Sequence, residues 1–89
     1  MDKRYFVTVP TCYGVKLARE TALRKTVMDS RLYADFRKTN RVDEDLDDFG
    51  QRMDKFIRDR NVRIISETIT GRVDRDRYQT DVAFIVSWD

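Results

Sequence analysis

Val62–Trp88, VRIISETITGRVDRDRYQTDVAFIVSW, is the stretch whose reading decides the fold. From Tyr78 onward, Tyr78, Thr80, Val82, Phe84, Val86 and Trp88 alternate with Gln79, Asp81, Ala83, Ile85 and Ser87. Strand side chains point to opposite faces in turn, so the two sets define two faces. The β-branched and aromatic content favours a strand over a helix. Val62–Thr70 has the same character. Gly71 and the charged run from Val73 through Asp74, Arg75 and Asp76 to Arg77 supply the reversal, and the whole reads as one long hairpin.

Immediately upstream lies an amphipathic helix. Asp43 has the right type for its N-cap, and Glu44, Asp45, Asp47 and Asp48 crowd the first turn. Leu46, Phe49, Met53, Phe56 and Ile57 form one apolar stripe. Arg58 and Arg60 fall in the last turn and Asn61 closes it, so acid comes first and base last, as the helix dipole favours. Further back, VKLARETALRKTVM (Val15–Met28) is rich in helix formers. Ser30 is a cap for a second stretch in which Met28, Leu32 and Phe36 recur every fourth residue. Residues 15–38 therefore read as one bent helix or two short ones; a short strand beginning at Val15 is the alternative. Lys3–Val9 reads as the first strand, with Tyr5, Val7 and Val9 on one face, Phe6 and Thr8 on the other, and Pro10 ending it. Thr11 to Gly14, through Cys12 and Tyr13, is a turn or helix entry.

These elements predict an α+β fold: a two-layer sandwich, a three-stranded mainly antiparallel sheet with helices on one face, in the order β-α-α-β-β. Residues 1–89 form a single domain, and the second strand is expected antiparallel to the first. The expected core is Val7, Val9, Leu46, Phe49, Met53, Phe56, Ile57, Val82, Phe84 and Val86, with Phe49 and Phe84 the most completely buried.

Composition narrows the chemistry. A chain of 89 residues with 40% apolar and 38% charged residues is globular rather than disordered. No apolar run reaches the roughly 18 residues a membrane span needs, and no signal-peptide layout opens the chain. No membrane association is expected. Cys12 is the only cysteine. That excludes an intramolecular disulfide and a cysteine-based zinc site, and it suits a reducing, cytoplasmic setting. Histidine is absent, which removes the commonest metal ligand and general base together. Three glycines cannot assemble a phosphate-cradling loop, and the acidic run from Asp43 to Asp48 lacks the glycine and closing glutamate of a calcium loop. No cofactor, no metal and no catalytic set is expected.

Three functions fit what is left. The first is a small regulatory or inhibitory module, of a format common among phage and mobile-element accessory proteins, that binds a protein partner or forms a homodimer without catalysis. Two helices cover one side of the sheet, which turns Phe6, Ala83 and Ile85 outward, joined by Ile65 and Ile69 from the middle strand. Those five are the candidate contact residues. The second is RNA or other nucleic-acid binding through the basic first helical region, with Arg24, Lys25, Arg31 and Arg37 as contacts interleaved with Tyr33 and Phe36. The third is a ribonuclease using Arg, Lys or Tyr in place of histidine. The β-α-α-β-β order with basic character resembles the topology of the RelE-type ribonuclease toxins. No motif accompanies that resemblance, and no residue is carried over from it.

Overall fold

The computed structural model describes residues 3–12 and 14–89, with only the backbone of Asp74. Tyr13, expected in the turn before the first helix, lies outside the described residues, as does any cross-strand pairing of the Asp74 side chain. The order is β1 (Arg4–Pro10), α1 (Val15–Asp29), α2 (Leu32–Arg37), α3 (Leu46–Asp59), β2 (Arg63–Asp74) and β3 (Arg77–Ser87). The fold is α+β: one open antiparallel sheet with the helices on one face. The stretch 15–38 is two helices, so the crossover from β1 to β2 contains three. Among the described residues no helix is long and apolar enough to cross a membrane.

The strand order is β1-β3-β2, so the last strand is the central one. Both neighbours are antiparallel to it, which makes β1 and β2 parallel to each other. This corrects the expectation of an antiparallel first pair. Arg4 and Arg63 both lie opposite Ser87, so the three-helix crossover has returned the chain to the end where β1 begins. The middle strand is β3, not β2.

Val7 and Val9 of β1 and Val82, Phe84 and Val86 of β3 are buried against the helices. Helix α1 reaches the sheet through small residues. Ala18, Ala22 and Thr26 recur every fourth position and are buried, and the Thr26 hydroxyl donates to the Ala22 carbonyl at 2.7 Å. Gly14 precedes this helix at φ 101°, a conformation only glycine adopts without cost. In α2, Phe36 is 2% exposed and meets the rings of Phe49 (5.7 Å, 85°) and Phe56 (5.4 Å, 70°) edge to face. The N-cap of α2 is Arg31, without a side-chain cap bond, and not Ser30, whose hydroxyl accepts from the Leu32 amide at 3.2 Å in the turn that ends α1.

Helix α3 starts later than its acid run suggested. Asp45, not Asp43, is the N-cap, accepting from the Asp48 amide at 2.8 Å; Asp43 sits at φ 60° in the loop before it. The end is a Schellman turn: Val62 N–H donates to the Ile57 carbonyl, Asn61 N–H to that of Arg58, and Asn61 takes φ 51°. Val62 is buried beyond it.

Three core expectations fall short on this helix, the mildest being Ile57, which is half-buried at the core edge. Leu46 is 84% exposed, because it is the first helical residue and the whole first turn, with Asp47 and Asp48, faces water. Phe49 is only half-buried and packs against the core edge, while Phe36 takes the central position. Angular position on a helix selects a face; only an opposing element buries it.

Phe84→Ala and Phe36→Ala should each cost about 3–5 kcal/mol, the usual toll for a fully buried phenylalanine. Leu46→Ala should stay within about 0.5 kcal/mol of wild type. Urea denaturation of the three variants measures the contrast, and a Leu46→Ala loss matching Phe84→Ala would refute the exposed first turn.

Candidate functional site

The uncovered face of the sheet is built in rows by the strand register. Phe6 of β1 lies opposite Ile85 of β3, and a bulge between Ile64 and Ser66 sets Ile65 and Ser66 together against Ile85. The next row is Thr8, Ala83 and Thr68; the row on the other side is Arg4, Ser87 and Arg63. Phe6 is 73% exposed, Ile65 is 46% exposed, and Ile85 and Ala83 are half-buried. The structure therefore brings Phe6, Ile65, Ala83 and Ile85 together as one apolar row with a neighbour.

Ile69 is not part of it. The bulge adds one residue to β2 and reverses the alternation, so Ile69 faces Val82 on the helix side. Uninterrupted alternation from Ile65 to Ile69 was the expectation that misplaced it. Even there Ile69 is 66% exposed, because the helical layer does not extend over it.

The hairpin is longer than the Gly71 reversal implied. β1 ends at Pro10 opposite Asp81, and beyond it the Thr11 amide and hydroxyl both donate to the Thr80 carbonyl, at 3.1 and 3.0 Å. Beyond that row β2 and β3 continue as a two-stranded ribbon to Asp74 and Arg77. The reversal itself is Arg75-Asp76, both at positive φ (51° and 64°), a type I′ turn made without glycine. Gly71 is instead a ladder residue covered by Tyr78: a Cβ there would collide with the tyrosine hydroxyl. Val73 and Tyr78 give the ribbon an exposed apolar side that continues the helix face of the sheet beyond Ile69. The sequence reading missed Val73 and Tyr78. Their period-2 spacing with Ile69 and Val82 was the available signal.

The four basic candidates are all exposed, but they do not form one stripe. Arg24 reaches across to Asp54 of α3 at 3.1 Å. Lys25, the next residue, lies about 100° further round α1. Arg31 is in the turn before α2, and Arg37 closes α2 with its guanidinium 5.8 Å from the Tyr33 ring centroid.

The acidic run has structural employment. Asp45 caps α3, and Glu44 makes a two-pronged ion pair with Arg52, at 2.7 Å to Nε and 2.9 Å to Nη2. Arg52 also donates to the Phe36 carbonyl and the Thr39 hydroxyl and lies 4.1 Å over the Phe36 ring. With side chains only 8% and 12% exposed, this pair fastens the loop before α3 onto the aromatic cluster. Among the described residues no group of three or more His, Cys, Asp or Glu is placed to hold a metal ion. Cys12 is exposed. Comparison with protein-family models, curated proteins and solved structures finds no match for the chain.

The Arg52 hydrogen bonds hold the Glu44 carboxyl below the usual glutamate range, and those of Arg19 and Arg60 do the same for Glu67 and Asp35. A depressed carboxyl stabilises the fold above its unfolded value and loses that contribution as pH falls through the folded one. Glu44→Gln should thus lower stability at neutral pH and flatten the acid limb of a stability–pH profile, with the two proteins converging at the acid end. A parallel offset at every pH would show that Glu44 acts without its charge.

Proposed function

We propose that the chain is a small non-catalytic protein-binding module, regulatory or inhibitory in kind, that contacts its partner through the uncovered sheet face. The observation that carries the reading is Phe6: an aromatic side chain 73% exposed on a rigid strand, in a row with Ile85 and Ile65. Leaving such a ring in water forgoes roughly 1.5–3 kcal/mol of burial. Contiguous apolar patches rimmed by polar residues are the usual mark of an interaction site. The rim here is Thr8 and Thr68 on one side, Arg4 and Arg63 on the other.

Capture from cell lysate, in nuclease-treated and untreated arms, tests this. Proteins should be retained in both arms, and Phe6→Lys or Ile85→Lys should weaken retention by about 30-fold or more, the effect of losing a central anchor of about 2 kcal/mol. Lys25→Glu should leave it unchanged. Retention that vanishes with nuclease, or that follows Lys25→Glu and Arg37→Glu instead of Phe6→Lys, would replace the reading with nucleic-acid binding by the first helical region.

A further inference from the structure

β2 is an edge strand along its full length, since only β3 pairs with it. Every residue from Glu67 to Val73 is exposed. Natural edges are usually blunted by lysine, proline, a bulge or shortness. β2 has its bulge at Ile65, near its start, and Ser66–Arg72 has no lysine, proline or bulge; its charges are Glu67, held by Arg19 on the helix side, and Arg72 near its end. That run, Ser-Glu-Thr-Ile-Thr-Gly-Arg, has threonine on each side of Ile69, and about that centre Glu67 faces the position of Gly71 and Ser66 that of Arg72.

We propose that Ser66–Arg72 pairs antiparallel with the same segment of a second copy of this chain, about a two-fold axis at Ile69, to give a continuous six-stranded sheet. On the helix side, Ile69 then meets its own counterpart and Glu67 meets the second copy's Gly71. On the other face Thr68 meets Thr70 and Ser66 meets Arg72. No like charges oppose each other, and the central pairs are Ile–Ile and Thr–Thr. Moving the axis one residue either way sets Glu67 against Ile69 or Val73.

Two further features fit this register. Glu67 carries the Arg19 guanidinium, bonded at 2.5 and 3.1 Å, and across from it Gly71 adds no side chain of its own. Tyr78 lies over Gly71, so the second copy's tyrosine comes beside that ion pair. On the helix side the exposed Ile69 side chains of the two copies cover each other at the axis, while Val73 falls beyond the paired segment. The contact is isologous and closed, so it ends at a dimer and not a fibre. It leaves the Phe6 face free in both copies and goes beyond the reading above.

Sedimentation velocity of the full chain at micromolar concentration reads the assembly. The expected result is twice the 10.7 kDa monomer, unchanged by Phe6→Lys. Ile69→Lys should raise the dissociation constant at least about tenfold. Should that variant lose its fold by circular dichroism, cysteine pairs decide instead. In a Cys12→Ser background, Ile69→Cys should oxidise to a covalent dimer, because self-opposed residues stand about 4.5–5.5 Å apart. Phe6→Cys should not. A wild-type monomer throughout, a dimer indifferent to a folded Ile69→Lys, or cross-linking through Phe6→Cys alone would overturn the proposal. Lysate capture through Phe6 would survive each of those results, so the two readings fail separately.

Discussion

The position of β3 between β1 and β2 is the constraint on which the rest of the structure depends. It hydrogen-bonds on both sides and sends Val82, Phe84, Val86 and Trp88 into the core, all at 5% exposure or less. β1 and β2 each pair with β3 and not with each other, so neither belongs to a sheet until β3 is in place. The β2–β3 hairpin can form locally. β1 must wait for a partner almost at the other end of the chain, with Val7 opposite Phe84. That closure carries a loop entropy that only the finished core offsets. The chain ends are tied into the same event: the Trp88 amide and the Ser87 hydroxyl both bond the Lys3 carbonyl. Removing β3 would leave two strands with no mutual hydrogen bonds and a helical layer with nothing to cover.

This is also why the sequence disclosed the fold class and the inner face of the sheet but not the strand order. Alternation in β3 is unbroken from Tyr78 to Trp88, and period 2 gives faces without ambiguity. Order and direction are set by where a helical crossover delivers the chain, and no local pattern records that. The bulge at Ile65 shows the same limit at smaller scale. One added residue reverses every later assignment on β2, so Ile65 stays with Phe6, Ala83 and Ile85 while Ile69 goes to the opposite side. The turn was misread for a comparable reason. Glycine is the usual currency of tight reversals, yet Arg75-Asp76 makes the turn and Gly71 serves to seat Tyr78.

In the helical layer, periodicity identified α3 and underrated α1 and α2. Helix α1 has small residues on its sheet side, which carry little apolar signal but let its backbone approach the strands closely. The large groups that fill the remaining space come from α2, six residues long, through Leu32 and Phe36. Phe36 then gathers Phe49, Phe56 and the Arg52 guanidinium around it. An arginine at 8% exposure is tolerable only because Glu44, the Phe36 carbonyl and Thr39 satisfy its donors, and no buried side-chain polar atom among the described residues lacks a partner. An acidic run that looks like a binding feature in the sequence is thus partly consumed in holding α3 against α2.

What the fold leaves unfinished follows from unequal strand lengths. β1 has 7 residues, β2 has 12 and β3 has 11, so the sheet narrows to two strands past Pro10. An isolated two-stranded ribbon is marginal in water. Here it is held by the type I′ turn, by Tyr78 over Gly71, and by Arg72 near Asp81 (3.5 Å) and Gln79 (3.2 Å). Each of those contacts is solvent-exposed on at least one side, and exposed pairs contribute only about 0.2–1 kcal/mol. The ribbon is therefore the least stable part of the sheet. A strand laid along Ser66–Arg72 would lie mostly beside the three-stranded part, since Ser66 and Thr70 are level with Phe6 and Pro10 through Ile85 and Asp81, and would reach the ribbon only at Gly71 and Arg72. Its gain is on the β2 side, where the helices leave Ile69 uncovered, and the two ribbon residues it adds adjoin the Tyr78 contact.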